Sequence, residues 1–225
     1  TTVGRRAANW AYDLWLMLHP LDCARDVMRP KGVKGATGTN ASFMNLFNGA
    51  PDEHNYADYD ASRYYDLPDT KFEYCLDSKF DWRVWNDDST YSEHFQTGTH
   101  MLTGQTYPRV SDAVSLAALA NIAAVLHKIA TDIRLLSNRK EIDEPFGKNQ
   151  IGSSAMPYKR NPMKCERICG LTRFVMNLVG NAYDTAATQW LERTLDDSSN
   201  RRLSLPEAFL ALDGALDLMH QVASG

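Results

Sequence analysis

Between Ala113 and Leu126 the chain carries no charged residue. Across Ala113–Leu136, Leu119, Ile122, Leu126, Ile129, Ile133 and Leu136 recur at alternating three- and four-residue steps, and Ala117, Ala118, Ala120, Ala123 and Ala124 fill much of the rest. That spacing predicts a long helix with a heptad seam. A helix apolar nearly all round must be buried on most sides. A second amphipathic pattern spans residues 1–29, where Val3, Ala7, Trp10, Leu14, Met17 and Leu21 form the apolar stripe. Pro30-Lys31-Gly32 ends it. A third helix is predicted over Met163–Leu178, with Pro162 in its first position and Asn161 as its cap. A fourth, closing helix runs over Glu207–Val222, with a kink or restart near Ser204 forced by Pro206. The helical pattern is already under way at Thr1, which predicts a piece of a longer chain.

The segments between these helices differ in kind. Residues 32–43 hold Gly32, Gly35 and Gly38 with Thr37, Thr39 and Asn40, a loop rich in backbone and hydroxyl donors. Asn40 or Thr39 can cap a short helix over Ala41–Phe47. Residues 48–102 scatter Tyr, Phe and Trp among acids with neither a helical nor a strand period. A structureless stretch of that length is unusual inside a compact domain, so it reads as a poorly ordered insertion or as sequence foreign to the protein. Asn138–Gln150 is a charged connector. It leads into Gly152-Ser153-Ser154-Ala155-Met156-Pro157-Tyr158-Lys159-Arg160-Asn161-Pro162, which has no large aliphatic residue and cannot be core. Glycine at one end and two prolines limit and shape this loop, and its hydroxyls, cations and amide suit a catalytic loop.

Composition narrows the reading. The 225 residues are 44% hydrophobic with a net charge of −4 and a pI near 5.8, which argues against nucleic acid as a partner. Residues 48–102 hold twelve acids against Arg63, Lys71, Lys79 and Arg83, a net of −8 that leaves +4 on the rest of the chain. A mildly cationic body suits an anionic substrate. Cys23, Cys75, Cys165 and Cys169 have neither Cys-x-x-Cys nor zinc-ligand spacing. Cys165 and Cys169 are four apart on the third predicted helix and face a common packing surface. A reducing, cytoplasmic setting fits, and no apolar run is expected to span a membrane.

The eleven residues from Gly152 to Pro162 resemble the signature loop of the fumarase/aspartase/argininosuccinate lyase superfamily. The wording is most similar to the animal and fungal type that acts on succinyl-amino nucleotides. Thr1–Arg6, the glycine-rich stretch, Thr103-Gly104-Gln105-Thr106 and the block from Trp190 to Arg202 resemble the same family. The resemblance covers residues 1–47 and 103–225 and implies an all-α fold, an elongated helical bundle forming the central domain. It implies β-elimination of fumarate from a succinyl-amino nucleotide, with Ser153 as the base. Gln105, Lys159, Asn161, Arg167, Arg193, Ser198 and Arg202 would bind substrate. On residue types alone, Gln105 would be a plain helix-start turn, Arg167 a surface ion pair, and the Arg193–Arg202 block a solvated loop. The family's acid, a histidine, falls in a segment this chain lacks, and Cys165 replaces a usual Ser. The resemblance also implies a homotetramer with shared active sites and no metal or organic cofactor. A related lyase for argininosuccinate or fumarate, and a non-catalytic helical oligomer of the same superfamily, are the alternatives.

Overall fold

The computed structural model describes residues 1–29, 31, 36–38, 100, 102–147, 155–156, 158 and 160–225. Five helices are found among them: α1 (Val3–Leu16), α2 (Leu18–Val27), α3 (Val110–Asn138), α4 (Met163–Ala187) and α5 (Asp197–Ser224). No strand occurs among the described residues, and the expected all-α class holds. The short helix expected at Ala41–Phe47 and nearly all of the acidic aromatic stretch lie outside them. The chain divides into two compact units. The first is Thr1–Val27, Val110–Thr188 and Leu195–Gly225; the second is Met28–Arg109 with Gln189–Thr194.

The first unit is organised around α3. It packs most extensively on α4, α4 packs in turn on α5, and α1 and α2 also lie against α3. Leu116, Ala123, Leu126 and Ala130 of α3 meet Cys165, Ile168 and Val175 of α4 and Ala208, Leu212 and Ala215 of α5 in one core. The expected seam is where the burial falls: Leu119, Leu126, Ile129, Ile133 and Leu136 are buried and Ile122 partly so. Each such side chain contributes roughly 1.5–3 kcal/mol on full burial. Helix α3 is long and apolar enough, by length and composition, to cross a membrane, which corrects the expectation that no run would be. Its burial against α4 and α5 accounts for that composition. The small alanines let neighbouring helices approach closely.

Four boundaries depart from the sequence expectation. The helix expected over 1–29 is two helices meeting at Met17. Pro20 is the cause: it has no amide to donate to the Leu16 carbonyl, and its ring crowds that carbonyl. Helix α1 starts at a cap, since the Thr2 hydroxyl accepts the Arg5 amide at 3.3 Å. Helix α4 runs nine residues past the expected Leu178, to Ala187. Helix α5 begins at Asp197 and continues through Pro206 without a restart. The carbonyl that Pro206 leaves without an amide belongs to Arg202, on an exposed position, where solvent satisfies it. The turns before Pro206 are also held from outside. Asn200 Nδ2 donates to Asn181 Oδ1 at 2.8 Å, and Ser204 Oγ donates to Asn200 Oδ1 at 3.2 Å.

Candidate active site

In the second unit three separate stretches of sequence touch. Gly38 has φ +79°, and a Cβ there would stand 1.8 Å from the Thr103 carbonyl oxygen. Only glycine tolerates both the conformation and the approach. A Cβ on Gly104 would stand 2.8 Å from the Glu192 carbonyl oxygen. The glycine-rich stretch therefore abuts the Gln105 turn, which abuts the Arg193 turn. Lys31 Nζ donates to the Gln105 carbonyl at 2.7 Å, fixing the backbone of Gln105 while its side chain is exposed. Sequence reasoning missed Lys31, because it saw only a helix break at Pro30-Lys31-Gly32.

The Arg193 turn is closed by its own neighbours. The Arg193 amide donates to the Trp190 carbonyl at 2.9 Å, the Trp190 amide to Thr194 Oγ1 at 2.7 Å, and the Thr194 amide to Gln189 Oε1 at 3.4 Å. Leu191 is left at φ +47° and almost fully exposed. A branched side chain in the left-handed region is strained backbone of the kind found at functional sites. Arg193 itself is half-buried. Beside the Gln105 turn, the Arg109 guanidinium lies 4.7 Å from the Tyr107 ring centroid, and the His100 ring stacks with that of Tyr107, centroids 6.1 Å apart.

The first unit carries Asn161, Arg167, Ser198 and Arg202. Ser198 and Arg202 lie one turn apart in α5, as their spacing required. Arg202 is exposed, whereas its neighbour Arg201 turns inward and pairs with buried Asp112, Nε to Oδ2 at 2.5 Å. Two adjacent arginines thus sit in opposite surroundings. Arg167 is exposed in the first turns of α4, and neither it nor Arg202 forms an ion pair or side-chain hydrogen bond with another described residue. Guanidinium groups so placed can take carboxylate or phosphate in fork geometry. Ser153 and Lys159 lie outside the described residues.

The start of α4 corrects one expectation. Asn161 does not cap it with its side chain; Pro162 holds the cap position and no adjoining side chain bonds there. The cap comes from Glu144, which is 6% exposed. Its Oε1 accepts the Lys164 amide at 3.0 Å and its Oε2 the Cys165 amide at 3.1 Å. The Met163 amide donates to the Asn161 carbonyl at 2.8 Å and the Glu166 amide to the Pro162 carbonyl at 2.9 Å. All four leading amides of the helix are therefore engaged within the chain. The positive pole of α4 is neutralised by a carboxylate and offers no open amide to a substrate anion. Positive charge for an anion must come from side chains, of which Arg160 and Arg167 are exposed nearby in sequence.

Cys165 and Cys169 are buried and free, as the common packing surface required. Burial, reinforced by the Glu144 charge and its hydrogen bond, pushes the Cys165 thiol up to about 12, so it is not a nucleophile. Among the described residues no group of three or more His, Cys, Asp or Glu side chains is placed to hold a metal ion.

Known proteins are similar to this chain in sequence. A family model described as a lyase matches residues 91–177. Adenylosuccinate lyase of Schizosaccharomyces pombe is 47% identical over 225 residues, covering all of this chain and 41% of that protein. The adenylosuccinate lyases of Saccharomyces cerevisiae and Schistosoma mansoni are each 44% identical, again over 100% of this chain and 41% of theirs. The chain spans about two-fifths of the length of these curated relatives.

Proposed function

We propose, from the premise that this chain belongs to the all-α lyase family of fumarase and aspartase, that it is the central part of an adenylosuccinate lyase. Its reaction is a β-elimination that splits the C–N bond of adenylosuccinate into AMP and fumarate. The same chemistry acts on the succinyl-carboxamide ribotide of purine synthesis. The observation that carries this reading is the 44–47% identity to adenylosuccinate lyases along the whole chain.

Elimination requires a base for the proton beside a succinyl carboxylate, an acid for the departing nitrogen, and positive charge where the carbanion develops. Ser153 is the base. Its alkoxide needs cationic support, and Lys159 is six residues on in the same loop. Lys159 and Asn161 take the carboxylate on which charge grows. Because the amides of α4 are engaged within the chain, this stabilisation falls to side chains. Gln105, Arg167, Arg193, Ser198 and Arg202 hold the phosphate and the remaining succinyl carboxylate. The family's acid, a histidine, lies outside these residues.

We place the whole protein in the cytoplasm as a homotetramer with shared active sites. Support for assembly comes from apolar side chains left exposed on α1 and α5. Trp15 is 61% exposed, and Leu203 and Leu210, seven residues apart on one face, are 69% and 68%. Such faces mark interfaces. Fumarate release from adenylosuccinate by the full-length protein tests the function, with Ser153→Ala as control. Turnover that falls at least about a thousandfold in the control supports the reading and its base. A soluble tetramer without turnover moves the assignment to a non-catalytic oligomer or another substrate.

A further inference from the structure

Glu144 precedes Ser153 and Lys159 in the sequence, and the amides it accepts, those of Lys164 and Cys165, follow them. Helices are ordinarily capped by a small polar residue directly before the first turn. Here the acceptor comes from 20 residues upstream of Lys164, so the bonds also join the two ends of the intervening segment. Two further contacts pin the same place. The Arg160 guanidinium lies 5.2 Å from the Phe146 ring centroid, and Pro145 packs at the end of α5, where a Cβ on Gly225 would stand 2.4 Å from it. Residues 144, 145 and 146 are thus each fastened to a different point of the first unit.

We propose that Glu144 is a positioning residue for Ser153 and Lys159: through the Lys164 and Cys165 amides it ties the chain before them to the chain after them, a neck made of residues 144–147 and 160–165. It touches no reacting atom. It fixes the neck, residues 144–147 against 160–165, and so the two ends between which Ser153 and Lys159 fall in the sequence. Its charge has a second consequence: it occupies the pole of α4, so a substrate anion is directed to the cationic side chains instead. The effect on catalysis rests on the lyase reading above; the effect on the neck does not.

The test uses the full-length protein with Glu144→Ala, Glu144→Gln and, as a stability control remote from the neck, Asp132→Asn. Three quantities are read: kcat and KM for adenylosuccinate, melting temperature, and the rate of tryptic cleavage after Lys148, Lys159 and Arg160. Loosening a positioned group by about 1 Å costs on the order of a hundredfold in rate. Glu144→Ala is expected to lower kcat about tenfold to a hundredfold with KM within about twofold. Glu144→Gln, which keeps one acceptor oxygen, should recover part of kcat, and Asp132→Asn should keep it. Tryptic cleavage in the loop should accelerate about tenfold in Glu144→Ala relative to sites elsewhere. Wild-type kcat in a folded Glu144→Ala protein overturns the proposal. So does a kcat loss matched by Asp132→Asn at equal loss of stability. If the wild-type protein releases no fumarate, the lyase reading fails, and the cleavage rates alone decide whether Glu144 holds the neck.

Discussion

Trp10 Nε1 donates to Asp132 Oδ2 at 2.8 Å across 122 positions of sequence, tying α1 to the C-terminal third of α3. Lys128, one turn before Asp132, donates to the same oxygen at 2.6 Å and lies 5.8 Å from the Trp10 ring centroid. The three side chains form one contact in which an indole, an ammonium and a carboxylate each serve two partners.

This contact is pH-dependent in a definite direction. Partial burial raises the Asp132 carboxyl, but hydrogen bonds from Lys128 and Trp10, with the charges of Lys128 and Arg6, outweigh it and hold the carboxyl below its ordinary 3.8. A depressed carboxyl contributes stability that is fully present above the unfolded value and lost as pH falls through the folded one. Asp132→Asn should therefore cost about 1 kcal/mol or less at pH 7, given the exposure of the pair. The difference from wild type should shrink as pH falls below 3.8 and vanish once it is below the folded value. Denaturant titrations at the two pH values measure both.

Arg201 and Arg202 should separate stability from binding. Removing Arg201 takes an ion-pair partner from the buried Asp112 carboxylate, a change that costs about 3 kcal/mol or more. Arg202→Ala should leave unfolding within about 0.5 kcal/mol of wild type. If Arg202 binds the substrate anion as proposed, the substitution should lower kcat/KM for adenylosuccinate at least about tenfold through loss of a charge-assisted bond. Melting curves and fumarate release on the two variants check the assignment.

Gly104→Ala tests the junction of the Gln105 and Arg193 turns. Its Cβ would sit 2.8 Å from the Glu192 carbonyl oxygen and 3.2 Å from the Glu192 Cα. Both are backbone atoms that cannot rotate away, so the two turns must separate. A loss of about 1–3 kcal/mol in stability and a raised KM are expected. Unchanged KM would show that the junction does not shape the binding surface.

Thiol labelling should discriminate among the cysteines. With its thiol pushed up to about 12 and no exposed surface, Cys165 should resist iodoacetamide at pH 8 in the folded protein. Cys169, also buried, should behave the same way, while exposed Cys23 reacts. Mass spectrometry of the digested protein before and after unfolding gives the pattern. Labelling of Cys165 at the rate of Cys23 would mean that the start of α4 opens readily.

What was legible in the sequence follows from range. The long apolar pattern of α3 announced its own burial, because a helix without a polar face has no other stable place. The start of α4 at Met163 was readable from the proline before it. Pro20 shows a local signal overlooked, whereas Pro206 shows one overridden: Asn181 and Asp112 hold the first turns of α5 from outside, through Asn200 and Arg201, and the helix proceeds. That Ser198 and Arg202 share one helical face followed from spacing, while the substrate-binding roles given to Gln105, Arg193, Ser198 and Arg202 rest on motif resemblance. That Gly104 and Glu192 touch was visible in neither.

The sequence by itself determined the helical class, the central helix and the type of chemistry its loop can support. These depend on side chains within one or two turns of each other. Tertiary structure decided which of two neighbouring arginines is structural, which three loops meet, and that Glu144 rather than Asn161 caps α4. Each of those depends on a bond between residues far apart in the chain, and such a bond exists only once packing has brought a donor and an acceptor out of water together.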